Sequence, residues 1–126
     1  MQLFLLACAG GAIGAGLRHC ANIIAVRSLG LEVAAATITV NVLGSLIMGA
    51  FFALLYFRWP EAMAIRVFFA TGVLGGFTTF SAFSLDALVY LERGAIGMAM
   101  AYIVGSIVLS IGACFIGYLC VRTMLS

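Results

Sequence analysis

The chain has 126 residues, 66% of them hydrophobic and only 8% charged, against about 25% charged in an average soluble domain. That composition excludes an ordinary water-soluble globule, and the length is that of one domain. The formal charge of +2 is small and scattered, with no basic run and no aromatic-basic alternation, which excludes a nucleic-acid partner and leaves few titratable groups for an enzyme.

A bilayer core about 30 Å thick needs roughly 20 apolar residues in a helix. Four charge-poor stretches meet this requirement and predict an all-α integral membrane protein, with helices over 2–26, 32–57, 62–92 and 95–122. Short connections join them: Arg27 to Leu31, Arg58 to Glu61, and Arg93-Gly94.

The first stretch carries no charge from Met1 to Leu17. Because no basic residue precedes its apolar core, it reads as a permanent helix and not as a cleaved signal peptide. It contains Gly10-x-x-x-Gly14, and the third stretch repeats the spacing at Gly72-x-x-x-Gly76; small residues so placed let helix backbones approach closely. The single histidine, His19, adjoins Cys20, while Cys8, Cys114 and Cys120 stand apart. Without a C-x-x-C pair or convergent soft ligands these read as small apolar residues, not a metal site.

In the second stretch Thr37, Asn41 and Ser45 recur every four residues and share one helix face. Asn41, near mid-span, has two readings: an interhelical hydrogen bond holding the bundle, or a pore-lining amide offering donors to an anion. Tyr56, Phe57, Arg58, Trp59 and Pro60 make an aromatic and basic exit at headgroup depth.

The third stretch holds the strongest local signal, Gly72-Val73-Leu74-Gly75-Gly76-Phe77-Thr78-Thr79-Phe80-Ser81-Ala82-Phe83-Ser84. Adjacent glycines each weaken a helix by about 1 kcal/mol, and threonines are poor formers. The run predicts a third helix broken in mid-membrane. Unwound backbone at that depth persists only inside protein or beside a polar cavity, and its free carbonyls can ligate a cation. Phe80 and Phe83, three apart, read as packing surfaces from spacing alone; the alternative is that their positive ring edges meet an anion.

In the fourth stretch Tyr102, Ser106, Ser110 and Cys114 again recur every four residues. Serines in membrane helices can satisfy their own helix, yet two uncharged polar stripes in so small a chain point to a polar route.

Arginines set membrane orientation, and here they tie. Arg58, Arg66 and Arg122 fall on one side of the membrane, and Arg18, Arg27 and Arg93 on the other. A chain with no bias is expected to insert both ways and to assemble as an antiparallel, dual-topology homodimer through an isologous contact.

These residues resemble the Fluc, or CrcB, fluoride channel family. The resemblance covers the whole chain and rests on three motifs: Gly10-Gly11-x-x-Gly14-Ala15-x-x-Arg18, Thr39-x-Asn41-x-x-Gly44-Ser45, and Gly75-Gly76-Phe77-Thr78-Thr79-Phe80-Ser81-x-Phe83. It implies passive fluoride export across the inner, or plasma, membrane by an antiparallel dimer with two pores and a central structural sodium ion. It further implies that the Gly75 and Thr78 carbonyls hold that sodium. Asn41, Phe80 and Phe83 match pore residues, with Ser81 and Ser84 beside them, and Tyr102, Ser106 and Ser110 resemble the polar track. Arg18 resembles the motif arginine near the aqueous vestibule. Departures are His19 where tyrosine is common, Val73-Leu74 in place of Phe-Cys, and Cys114 at a track position that can hold a hydroxyl.

The implied chemistry agrees with the residues. A compact, strongly hydrated anion needs many weak donors, because one full positive charge would trap it while conduction needs weak, multiple sites. The rival is a four-helix proton-coupled drug exporter, which needs a mid-membrane carboxylate. Glu32, Glu61 and Glu92 lie at span ends, Asp86 falls late in the third span, and the first span has no acid. A purely structural membrane subunit would explain the glycines but not the polar stripes.

Overall fold

The computed structural model describes residues 1–125. Among them are four helices long and apolar enough to cross a membrane: α1 (Gln2–Ser28), α2 (Val33–Arg58), α3 (Met63–Glu92) and α4 (Ile96–Leu125). Most of their large apolar side chains, including Phe4, Val108 and Phe115, face outward, as hydrocarbon-facing residues should.

Helix ends differ from the sequence expectation by at most three residues. α1 runs on to Ser28 because its last turn widens to a π-helical one over Ile24–Ser28, and Gly30 (φ 65°) then reverses the chain. α3 ends on a left-handed glycine, Gly94 (φ 70°). Its N–H reaches the Leu91 carbonyl at 2.9 Å, and the Ala95 N–H reaches Tyr90 at 3.0 Å, so carbonyls otherwise orphaned at the helix end are satisfied. α4 continues to Leu125, which puts Arg122 in its last turn, where a cation complements the helix dipole.

Glycines decide which helices pair. A side chain at Gly49 would strike the Cys114 carbonyl, and one at Gly117 would strike the Leu46 carbonyl, so α2 and α4 lie backbone to backbone. The same reciprocity joins α1 to the first half of α3, with Gly10 against Gly72 and the Phe68 carbonyl, and Gly14 against the Val73 carbonyl and Phe77 N. Gly76 completes that seam against Gly11 and Ala15. The two small-residue spacings in the sequence therefore meet each other.

Within α3, a π-helical stretch over Val67–Leu74 is followed by Gly75–Phe77. Thr78 (φ −78°, ψ 157°) and Thr79 (φ −148°, ψ 117°) are extended, and helix resumes over Phe80–Glu92. That last portion packs on α2 and α4 around Ala34, Phe83, Ala87 and Tyr102.

Candidate functional site

The two extended threonines organise the site. Thr79 caps the helix that follows it, its hydroxyl accepting the Ala82 N–H at 3.2 Å, a role threonine favours. Its own N–H goes to Asn41 Oδ1 at 2.7 Å, and its carbonyl accepts from Asn41 Nδ2 at 3.0 Å. Thr78 ties back to the preceding turn through its hydroxyl, which donates to the Leu74 carbonyl at 2.9 Å.

These bonds release two carbonyls. In an unbroken helix the N–H of residue i bonds the carbonyl of residue i−4, so Thr79 and Ala82 would serve Gly75 and Thr78. Both donors are diverted to side chains. The Thr78 carbonyl instead accepts from Arg18 Nη1 at 3.2 Å. Arg18 thus reaches the interrupted backbone.

Beside the break opens a cavity of about 370 Å³. Asn41, Gly44 and Ser45 of α2, Thr78 to Phe80 and Phe83 of α3, and Ser106, Ser110 and Cys114 of α4 line it with a few aliphatic side chains. None of the lining residues is charged. Gly44 lets α2 pack closely on the interrupted segment, since any side chain there would meet the Thr78 methyl and the Phe77 ring.

Phe80 and Phe83 stand with ring centroids 5.2 Å apart, tilted by 44°. Phe83 is 8% exposed, whereas Phe80 is 78% exposed and projects outward. Behind Phe83 stacks Tyr102, 5.4 Å away, whose hydroxyl donates to Asp86 Oδ2 at 3.0 Å. Ser106, one turn along α4, is 5% exposed and its Oγ has no hydrogen-bond partner among the described residues.

Of the residues singled out in the sequence, Asn41, Phe80, Phe83, Ser106 and Ser110 come together on the cavity wall. Tyr102 sits behind that wall. Ser81 and Ser84 are exposed outside it, Ser81 within 3.3 Å of the Thr79 hydroxyl and Ser84 donating to the Phe80 carbonyl at 2.9 Å. Gly75 is exposed and Thr78 half-buried. Sequence reasoning gave no role to Thr79 or Asp86. A threonine opening a helical run is an N-cap signal that could have located Thr79; no local pattern pairs Asp86 with Tyr102.

The profile of the family described as "CrcB-like protein, Camphor Resistance (CrcB)" matches residues 5–118. The chain belongs to the CrcB family. Its CrcB relatives include a "Fluoride-specific ion channel FluC 2" of Nitrobacter hamburgensis, 46% identical over 119 residues, or 94% of this chain and 96% of that one. A "Fluoride-specific ion channel FluC" of Rhodospirillum centenum is 46% identical over 123 residues, covering 98% of each chain. Another, from a Chelativorans species, is 46% identical over 125 residues, covering 99% of this chain and 100% of its own. The match spans the whole CrcB architecture, so the interrupted α3 and the uncharged cavity both lie inside the shared region.

Proposed function

We propose that this protein is a fluoride-selective passive channel that lets fluoride leave the cytoplasm across the plasma membrane. The observation that carries the reading is the uncharged cavity, where hydroxyls, the Asn41 amide and two phenyl rings surround a space open to small solutes. Such a lining supplies many weak donors and no fixed cation, the condition for replacing the water around a small anion without trapping it. Relatives named as fluoride-specific channels, 42–46% identical over nearly the whole chain, support the same choice of ion.

The working unit is an antiparallel homodimer with two pores. Phe80, Ser81, Ser84 and Gly75 are exposed on one subunit, and a polar, interrupted backbone facing lipid would be costly. A second, oppositely inserted copy covers this face, the exposed Phe80 included, and closes the open side. The arginine tie permits both insertions.

A structural sodium ion fits the centre of that contact. The Gly75 and Thr78 carbonyls have lost their helical donors, and neutral oxygens of this kind suit a weakly held cation. Bound there, sodium would offset the converging carbonyl dipoles and tie the two interrupted helices together. The residues' own part is separate: Asn41 and Thr79 keep the backbone open whether or not the cation is present.

The deciding experiment is electrode-measured efflux from liposomes holding the purified protein. Fluoride should leave rapidly while chloride stays inside; vesicles as tight to fluoride as empty ones would end the proposal.

A further inference from the structure

We infer that Arg18 sets the valence of the cation that the released carbonyls accept, admitting a monovalent ion and turning away divalent ones. The inference rests on the central-cation part of the function proposed above. Arg18 stands one turn beyond Gly14, on the same face of α1, and Gly14 lies against the α3 backbone at Val73 and Phe77. From there Arg18 places Nη1 3.2 Å from the Thr78 oxygen.

That oxygen lacks its helical donor because the Ala82 N–H is diverted to the Thr79 hydroxyl. A carbonyl has two lone pairs, so one can hold the guanidinium while the other faces a cation. The guanidinium remains charged at every physiological pH. Its repulsion of an ion on the same oxygen grows in proportion to that ion's charge. Calcium sites offset such terms with carboxylates. The Asp86 carboxylate of α3 is engaged by Tyr102, behind Phe83, and the Glu32 carboxylate by Tyr90. In a two-fold assembly each copy brings its own Arg18, doubling the positive charge around the centre.

The test is thermal unfolding of the purified full-length protein in N-methylglucamine buffer of constant ionic strength, titrated with sodium or with calcium. The wild type should be stabilised by sodium and indifferent to calcium. Arg18→Gln, which keeps a donor for the carbonyl but no charge, should be stabilised by calcium as well and should need about tenfold less sodium. Arg18→Met serves as a second neutral variant, and Arg18→Lys, which keeps the charge, should still ignore calcium. Neutral variants that fold and stay blind to calcium overturn the inference, as does calcium stabilisation of Arg18→Lys. Failure of both neutral variants to fold in either ion would make Arg18 a structural residue and also overturn it. A wild type indifferent to sodium removes the central cation and this inference together, while fluoride efflux from the same preparation reports separately on the channel.

Discussion

Asn41 grips the backbone of Thr79 from both sides, accepting its N–H at 2.7 Å and donating to its carbonyl at 3.0 Å. The asparagine therefore holds open the extended segment that presents Phe80, and it does so from the cavity wall. These bonds are the interhelical reading of the residue, and they leave the second amide hydrogen uncommitted for the pore-facing role proposed above.

Removing that grip should cost stability and flux together. Asn41→Ala is expected to destabilise the protein by about 1–3 kcal/mol, because the Thr79 N–H and carbonyl are left without partners, and to slow fluoride efflux severely. Asn41→Asp keeps the acceptor, loses the donor and adds a negative charge, so it should abolish fluoride efflux. An unchanged efflux rate in Asn41→Ala would return the residue to packing alone.

The two phenylalanines should separate stability from transport. Phe83 is buried and stacked on Tyr102, so Phe83→Ile should lower stability by about 1–2 kcal/mol. Phe80 projects from the subunit, and Phe80→Ile should leave the unfolding of a single subunit within about 0.5 kcal/mol of the wild type. Both should abolish or greatly slow fluoride efflux while cross-linking still detects the dimer. Wild-type rates in both variants would remove the ring-edge role.

Ser106 offers the sharpest contrast between folding and function. Its buried Oγ has no partner, an arrangement that costs about 1–3 kcal/mol where no ligand or water relieves it. Ser106→Ala should accordingly be neutral or stabilising in a denaturation series, yet reduce fluoride efflux. A variant that is destabilised with full flux would mark the hydroxyl as structural.

Replacing sodium by N-methylglucamine throughout purification should reduce the dimer fraction measured by light scattering and lower fluoride efflux. Readdition of sodium should restore both. Complete indifference of dimer and flux would leave the released carbonyls of Gly75 and Thr78 without a cation.

The spans were legible because hydropathy and interfacial arginines mark bilayer depth, and the helices end within three residues of the boundaries read from them. The departures lie at two helix ends, where a widened turn over Ile24–Ser28 extends α1 and where α4 runs on to Leu125, and neither carries a hydropathy signal. The glycine spacings announced close approach but not partners, and only the fold pairs Gly10 with Gly72 and Gly49 with Cys114. At the candidate site the stripe residues were visible by period. The diversion of the Thr79 N–H was not, since it depends on Asn41 arriving from 38 positions away, whereas the Ala82 N–H turns to a hydroxyl only three residues off. The contact of Arg18 with Thr78 joins residues 60 positions apart and was equally out of reach of a local pattern.

The glycine seams pair the helices closely in two sets, α1 with the start of α3 and α2 with α4. The remainder of α3 is fastened to the second set, so one chain segment belongs to both. Its two extended threonines are the joint between them, and any rocking of one set on the other must be absorbed there. A protein that breathes at this place would widen or pinch the adjoining cavity without unmaking a single helix.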